Sequence, residues 1–104
     1  MSNTLEDGVL TPVPDYVWDD VTKTLTINAN TKTTFKGTPY IEKVIIKDGV
    51  TTIEAEAFCG CSSLASVTLP AGLKTIDESA FDGCSSLATV AFPDALQTIG
   101  RSAF

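Results

Sequence analysis

The sequence predicts a β-rich solenoid in which short parallel strands from successive coils stack into a sheet. Two observations carry this prediction: the chain repeats itself every 23 residues, and each copy has apolar residues at the same positions. A period of this length is typical of solenoids whose coils each contribute one short strand. One coil cannot bury its apolar face alone, so we expect the fold to be stabilised by stacking of neighbouring coils.

The repeat is clearest in two adjacent copies. Residues 58–80 and 81–103 are identical at 14 of 23 positions, and residues 35–57 match residues 58–80 at 7 positions. Phe104 occupies the first position of a fourth copy. We therefore predict three coils over residues 35–103 and a fourth that is truncated at residue 104.

Each copy contains two apolar residues separated by a single residue, and this spacing predicts the strand. The pairs are Val44 and Ile46, Val67 and Leu69, and Val90 and Phe92. Because alternate side chains of a strand point to the same face, all six are expected to point into the core. Pro70 and Pro93 follow the second and third strands, where a missing N–H ends the pairing at little cost.

The other side of each coil is expected to contain a short helical turn. The segments EAEAF and DESAF, which end at Phe58 and Phe81, carry acidic residues where a helix would begin. Gly60 and Gly83 come shortly after and permit the turn that follows.

The residues before the first coil predict a cap. The apolar segments 16–18 and 25–27 are joined by a polar stretch, which predicts a β-hairpin within residues 16–34. Its side chains Trp18, Leu25 and Ile27 are expected to cover the first coil. Residues 1–15, which include two prolines, predict an irregular leader.

The repeated motif resembles that of a known family. The pattern FxGCSSLxxVxLPxxLxxIxxxAF, at 58–81 and again at 81–104, resembles the BspA-like leucine-rich-repeat family. The segment VWDDVTKTLTINAN is similar to the Trp-containing hairpin that precedes such arrays, so the resemblance covers residues 16–104. It implies a right-handed leucine-rich-repeat solenoid, protein recognition, and often adhesion at a cell surface. A cell-surface or secreted location is thus implied, although the first residues do not have the pattern of a signal peptide.

Composition and motifs argue against several other classes of function. The net charge of −6 disfavours nucleic acid as a partner, and no apolar run approaches the ~20 residues needed to cross a membrane. The chain has no histidine, so the repeated Ser-Ser pairs have no imidazole base and are expected to form turns. We predict no enzyme activity, no cofactor and no metal site.

The three cysteines suggest packing rather than catalysis. Cys61 and Cys84 occupy the same position in adjacent coils, where they are expected to form an internal ladder of reduced thiols, with a disulfide as the alternative. The equivalents of Cys59 are Lys36 and Asp82, so Cys59 is expected to be exposed.

The candidate binding residues are the strand residues that alternate with the core positions. They should point away from the core on the concave sheet, and they comprise Lys43, Ile45, Ser66, Thr68, Thr89 and Ala91. The function we predict is a protein-binding module with an unidentified protein partner. The alternative interpretation of these six positions is a plain solvent-facing surface.

A second hypothesis concerns the last coil, whose core has nothing to cover it after Phe104. Either the chain is a fragment of a longer array, or two copies associate as a homodimer through this C-terminal edge.

Overall fold

The computed structural model describes residues 3–6, 9–12, 14–88 and 90–104. These residues form three separate sheets. The strands are β1 (Asn3–Glu6), β2 (Val9–Pro12), β3 (Tyr16–Asp19), β4 (Thr24–Ile27), β5 (Lys43–Ile46), β6 (Thr52–Ile53), β7 (Ser66–Thr68), β8 (Thr75–Ile76) and β9 (Thr98–Ile99).

The largest sheet, here called the main sheet, has the order β3-β4-β5-β7. β3 and β4 form an antiparallel hairpin, whereas β4, β5 and β7 are parallel. The register places Leu25, Val44 and Val67 in one row, with Trp18 beside Leu25 at the hairpin end. Apolar residues from successive coils therefore lie over one another on the inner face, as the 23-residue spacing predicts.

A second parallel sheet, here called the small sheet, lies on another side of the coils and was not predicted. Its strands β6, β8 and β9 have only two residues each, and the register sets Thr52, Thr75 and Thr98 in one row. Each strand is a Thr-Ile pair, so the repeat itself contains the signal. Two residues are too few to show the alternation by which a strand is ordinarily recognised.

The expected helical turns are wrong, because the described residues contain no helix. In this part of the coil, some backbone N–H groups bond within their own coil and others bond to the next coil. The N–H of Ala57 donates within its own coil to the carbonyl of Glu54 at 3.2 Å, whereas that of Phe58 donates to the carbonyl of Ala80 in the next coil at 2.8 Å. A helix would need each N–H to return to the residue four positions earlier, so bonding between coils replaces it here.

The same turns contain left-handed backbone. Glu56, Ser79 and Ser102, which are equivalent in the three coils, have φ of 59°, 56° and 55°. Such values are uncommon for residues other than glycine, and they interrupt a helical path. The N–H groups of Glu56 and Ser79 donate to the carbonyls of Glu78 and Arg101 in the next coil, both at 3.0 Å.

Aromatic rings stack through the centre of the solenoid. Phe35, Phe58, Phe81 and Phe104 lie over one another with centroid distances of 5.6, 5.3 and 5.1 Å, and Tyr16 packs edge-on against Phe35 at 5.1 Å. The Ala-Phe pair that closes each copy is therefore the origin of a continuous ladder. The other buried core residues include Leu25, Ile27, Ile41, Val44, Ile46, Val50, Ile53, Leu64, Leu73 and Ile76.

The hairpin is part of the first coil rather than a separate cap. β4 pairs in parallel with β5, and 19 residues separate Leu25 from Val44, whereas 23 separate Val44 from Val67. The first coil is thus shorter than the others. It nevertheless contributes Phe35, the first phenylalanine of the aromatic ladder.

Asn30 compensates for the missing residues of the short coil. Its Oδ1 accepts from the N–H of Thr51 at 3.0 Å and of Thr52 at 3.3 Å. One coil later, the backbone carbonyl of Thr51 accepts from the N–H groups of Lys74 and Thr75 at 2.9 and 3.1 Å. The side-chain amide of Asn30 therefore takes the place of a strand carbonyl at the edge of the small sheet.

Two ends of the chain differ from expectation. Residues 1–15, for which an irregular leader is predicted, include β1 and β2, which pair antiparallel as a sheet of their own.

In the last coil, residues 90–93 do not form a strand, and Phe92 is 48% exposed rather than buried. Its ring packs edge-on against Phe104 at 5.5 Å. The segment that contains Phe92 does not pair with β7, so it lacks the strand geometry that would turn this side chain inward.

Candidate binding face

Four of the six candidate residues lie together on the outer face of the main sheet. Lys43 and Ile45 are on β5, and Ser66 and Thr68 are on β7, where the register sets Lys43 beside Ser66 and Ile45 beside Thr68. Lys43, Ser66 and Thr68 are exposed and Ile45 is half-buried, whereas Val44, between the two β5 residues, is buried. This alternation is the one expected for a strand with one face in the core.

The structure does not add the two candidates from the last coil to this face. Thr89 lies outside the described residues. Ala91 is exposed, but the segment around it does not pair with β7. The array of outward side chains is therefore described over two coils rather than three.

The hairpin extends the face in the opposite direction, which the sequence analysis missed. Thr24 and Thr26 of β4 continue the two rows, and Asp19 and Val17 of β3 end them. The signal was present, since TLTI alternates polar and apolar residues in the same way as the strands of the coils. A hairpin that only caps the first coil would not continue the sheet, whereas β4 pairs with β5 and so adds both hairpin strands to the face.

The complete outer face consists of two parallel rows. One row contains Asp19, Thr24, Lys43 and Ser66, and the other contains Val17, Thr26, Ile45 and Thr68. The first row offers hydroxyl groups and charges of both signs, and the second offers mainly methyl groups and two threonine hydroxyls. A surface of this kind provides hydrogen-bonding groups and modest apolar contact for another molecule.

Backbone hydrogen bonds stabilise the charged form of Asp19 at the end of its row. Its Oδ1 accepts from the N–H of Val21 at 2.9 Å and of Thr22 at 3.3 Å, in the turn between β3 and β4. These bonds, that of Thr22 first, lower the pKa of Asp19, because they stabilise the carboxylate form.

The cysteines are placed for packing. The three thiols are free, and the Sγ atoms of Cys61 and Cys84 donate to the carbonyls of Phe35 and Phe58 at 3.2 and 3.1 Å. Burial, followed by the neighbouring Cys61, raises the pKa of Cys84 to about 11, so this thiol is protonated and weakly nucleophilic at neutral pH. Cys59 is half-buried, so it is less exposed than the charged residues at the equivalent positions led us to expect.

The serine pairs are also part of the stack. The hydroxyl of Ser86 donates to the carbonyl of Ser62 in the preceding coil at 2.7 Å, and the N–H of Ser85 donates to the carbonyl of Gly83 at 2.9 Å. Hydroxyls engaged with the backbone in this way hold turns together. Among the described residues no group of three potential metal ligands occurs, and no helix is long and apolar enough to cross a membrane.

The backbone thus defines a parallel solenoid of the leucine-rich-repeat class, and comparison with known proteins specifies the family. The family model described as a BspA type leucine rich repeat region, with six copies, matches residues 25–104. The chain therefore belongs to the BspA-type leucine-rich-repeat family, as the resemblance of its motif indicates. Members of this repeat family are typically non-catalytic binding modules. The match begins at Leu25 in β4, in agreement with the role of this strand in the first coil.

Two solved structures are similar to the chain. The leucine rich repeat protein TpLRR of T. pallidum is 30% identical with a TM-score of 0.64, over 82% of this chain and 50% of that one. A leucine-rich repeat protein from Bacteroides ovatus ATCC 8483 is 26% identical with a TM-score of 0.66, over 85% of this chain and 23% of that one. The chain thus spans half the length of the first and about a quarter of the second. Comparison with curated proteins gives no match.

Proposed function

We propose that the chain is a non-catalytic protein-binding module and that its partner contacts the outer face of the main sheet. The observation that carries this proposal is the two-row surface, in which short side chains surround Ile45 and Lys43 on the paired strands of the main sheet. Because the strands that carry these side chains are held by backbone hydrogen bonds, we expect the surface to be preorganised, which lowers the entropic cost of association. Lys43, Ile45, Ser66, Thr68, Thr89 and Ala91 are the proposed contact residues, with Val17 and Thr26 as an extension.

The family resemblance adds adhesion at a cell surface as the biological setting of this proposal. A stable protein complex buries ~800 Å² on each partner. The main sheet has only four short strands, β3, β4, β5 and β7, and so offers a small outer face. The module is therefore proposed to bind a small or extended epitope, or to act together with further coils.

The test compares retention of partner proteins by the wild type and by matched variants. The double variant Ile45→Glu/Thr68→Asp changes the outer face of the main sheet, and Glu54→Lys/Lys74→Glu changes the opposite side of the coils. A partner that is retained by the wild type and by the second variant, but lost by the first, supports the proposal. It must then show the same pattern as a purified protein in calorimetry. Equal retention by both variants contradicts a binding site on the outer face.

A second candidate function is self-association through the C-terminal edge, favoured by the exposure of apolar side chains there. Ile99 and Phe104 are 50% and 48% exposed, whereas the equivalent Ile76 and Phe81 are 0% and 1% exposed. Contact between two such edges would cover these groups. Light scattering over a range of concentrations tests this. Self-association predicts a dimer that Ile99→Glu abolishes, and a constant monomer mass for the wild type contradicts it.

A further inference from the structure

Among the strands that the structure describes, β3 lies at the edge of the main sheet and has unused backbone groups on one side. The carbonyl of Asp15 accepts from the N–H of Asn28 at 2.7 Å. Antiparallel pairing alternates between residues that bond to the partner strand and residues that face away from it. The N–H and C=O groups of Tyr16 and Trp18 are therefore directed away from β4, towards the open edge.

The parallel side of β4 confirms this alternation. Ile27, which lies opposite Tyr16, accepts from the N–H of Lys47 next to β5 at 2.9 Å. The groups of Ile27 thus face β5, so those of Tyr16 cannot bond to β4. The open edge of β3 offers two donors and two acceptors to an added strand.

The side chains of the edge strand alternate as well. Tyr16 and Trp18 turn towards the core side, where they pack against Phe35 and Tyr40 with centroid distances of 5.1 and 5.2 Å. Asp15, Val17 and Asp19 lie on the outer side of the sheet; both carboxylates are exposed, and Val17 is 46% exposed. A strand that pairs with β3 would therefore meet a carboxylate, an apolar side chain and a second carboxylate in turn.

This order of charges disfavours a second copy of the chain at the same edge. Two copies of β3 paired antiparallel about Val17 would set Asp15 of each copy opposite Asp19 of the other. Like charges directly opposite one another across a sheet are destabilising, and charges on edge strands are a common means of preventing self-association. Asp20, next along the chain, is already paired with Lys23 at 3.0 Å and does not change this arrangement.

We propose that the edge of β3 is a docking site for an extended basic segment of a partner protein, which adds to the main sheet as a further strand. The segment has Lys or Arg two positions before and two positions after an apolar residue, so that both cations face Asp15 and Asp19 while the apolar residue lies beside Val17. This site shares Val17 and Asp19 with the end of the outer face proposed above, but its backbone bonds are made at the open edge, through Tyr16 and Trp18.

The test is a titration of the 104-residue chain, labelled with ¹⁵N, with two capped peptides. The first has the sequence Thr-Lys-Thr-Val-Thr-Lys-Thr, and the second has glutamate in place of both lysines. We expect the lysine peptide to shift the backbone amide signals of Tyr16 and Trp18 most. It should bind about tenfold more tightly than the glutamate peptide, and its binding should weaken as salt is added.

Matched variants separate the charges of the edge from the net charge of the chain. Asp15→Asn/Asp19→Asn keeps an oxygen acceptor for the turn at residue 19 and should bring the two peptides to equal affinity. Asp48→Asn/Asp94→Asn removes two exposed carboxylates elsewhere and should preserve the preference for lysine.

Four outcomes would overturn the proposal: no binding of the lysine peptide, equal affinity of the wild type for both peptides, signal changes centred on Ile45 and Thr68, or a concentration-dependent dimer that shifts the Tyr16 and Trp18 signals without peptide. The third of these would instead support the outer face as the binding site, so the two proposals fail separately.

Discussion

The position of a residue along its strand determines whether its side chain packs in the core or faces solvent, where a partner could contact it. Val44 is fully buried in the row between Leu25 and Val67, whereas Thr68 on the neighbouring strand is exposed. Thr68 lies one position beyond Val67, the partner of Val44, so a shift of one residue along a strand separates a core position from a surface position. This difference is directly testable with the same substitution at both sites.

Val44→Asp should destabilise the chain by at least about 3 kcal/mol, because it buries a carboxylate that has no partner. Thr68→Asp should change the free energy of unfolding by no more than about 0.5 kcal/mol, since its side chain faces solvent. Urea denaturation followed by circular dichroism measures both. Similar midpoints for the two variants would mean that the faces of the strands are assigned the wrong way round.

Asn30 offers a second test at the residue scale. Asn30→Ala leaves the N–H groups of Thr51 and Thr52 without the Oδ1 acceptor and should reduce stability by about 1 kcal/mol. Asn30→Asp keeps an oxygen acceptor and serves as the control. Hydrogen exchange at the two amides should accelerate in the alanine variant and change less in the aspartate variant. Unchanged exchange in Asn30→Ala would rule out a capping role.

The coil, as the structural element, depends on close approach at its glycines. Gly37, Gly60 and Gly83 have φ of 69°, 75° and 77° and lie at equivalent positions in successive coils. A Cβ atom at Gly83 would lie 3.3 Å from the Cα of Gly60. Glycine is needed here both for the left-handed backbone and for the spacing between neighbouring turns.

Gly83→Ala should therefore reduce stability by about 1–2 kcal/mol. Gly72→Ala is the matched control, because a Cβ there meets no atom within 4 Å and its φ lies outside the left-handed region. The control should be neutral or more stable by up to about 1 kcal/mol, since alanine restricts the unfolded chain. Thermal unfolding of the two variants gives the comparison, and equal losses would show that the backbone of Gly83 is not strained by a side chain.

At the scale of the whole molecule, stability grows with each neighbour that a coil acquires. Phe81 is stacked between Phe58 and Phe104 at 5.3 and 5.1 Å, whereas Phe104, among the described residues, is stacked on Phe81 alone and meets Phe92 edge-on. At one end of the stack β3 pairs with β4 and Asn30 takes the place of a strand carbonyl, whereas the last described coil leaves Phe92, Ile99 and Phe104 about half exposed. The two ends of the stack are thus unequal.

This inequality predicts different costs for the same truncation. Phe81→Ala should destabilise the chain by about 3–5 kcal/mol, because it removes a buried ring and leaves a cavity. Phe104→Ala should cost less than half as much, because its ring is already half exposed and the gap is open to water. Chemical denaturation of both variants tests this, and equal losses would mean that the last coil is covered in solution, as self-association requires.

The sequence alone determined the 23-residue period, the main strands β5 and β7, the strands of the hairpin and the family. These features follow from residue types that recur at fixed spacing, and that recurrence survives without any knowledge of distant contacts. The alternation within KVII and SVT was likewise enough to place Lys43, Ile45, Ser66 and Thr68 on one outer face.

Only the tertiary structure decided how the coils bond to one another. The small sheet, the left-handed residues in place of helical turns and the role of Asn30 all depend on N–H and C=O groups that meet across 20 or more residues of chain. The open edge of β3 depends on which of its backbone groups are directed towards β4. Local propensity cannot predict the bonds between coils, because it depends on neighbouring residues of the chain, whereas the two partners of each bond belong to different coils. The physical reason is that a solenoid satisfies its backbone between coils, and the direction of each group is set only when the coils are stacked.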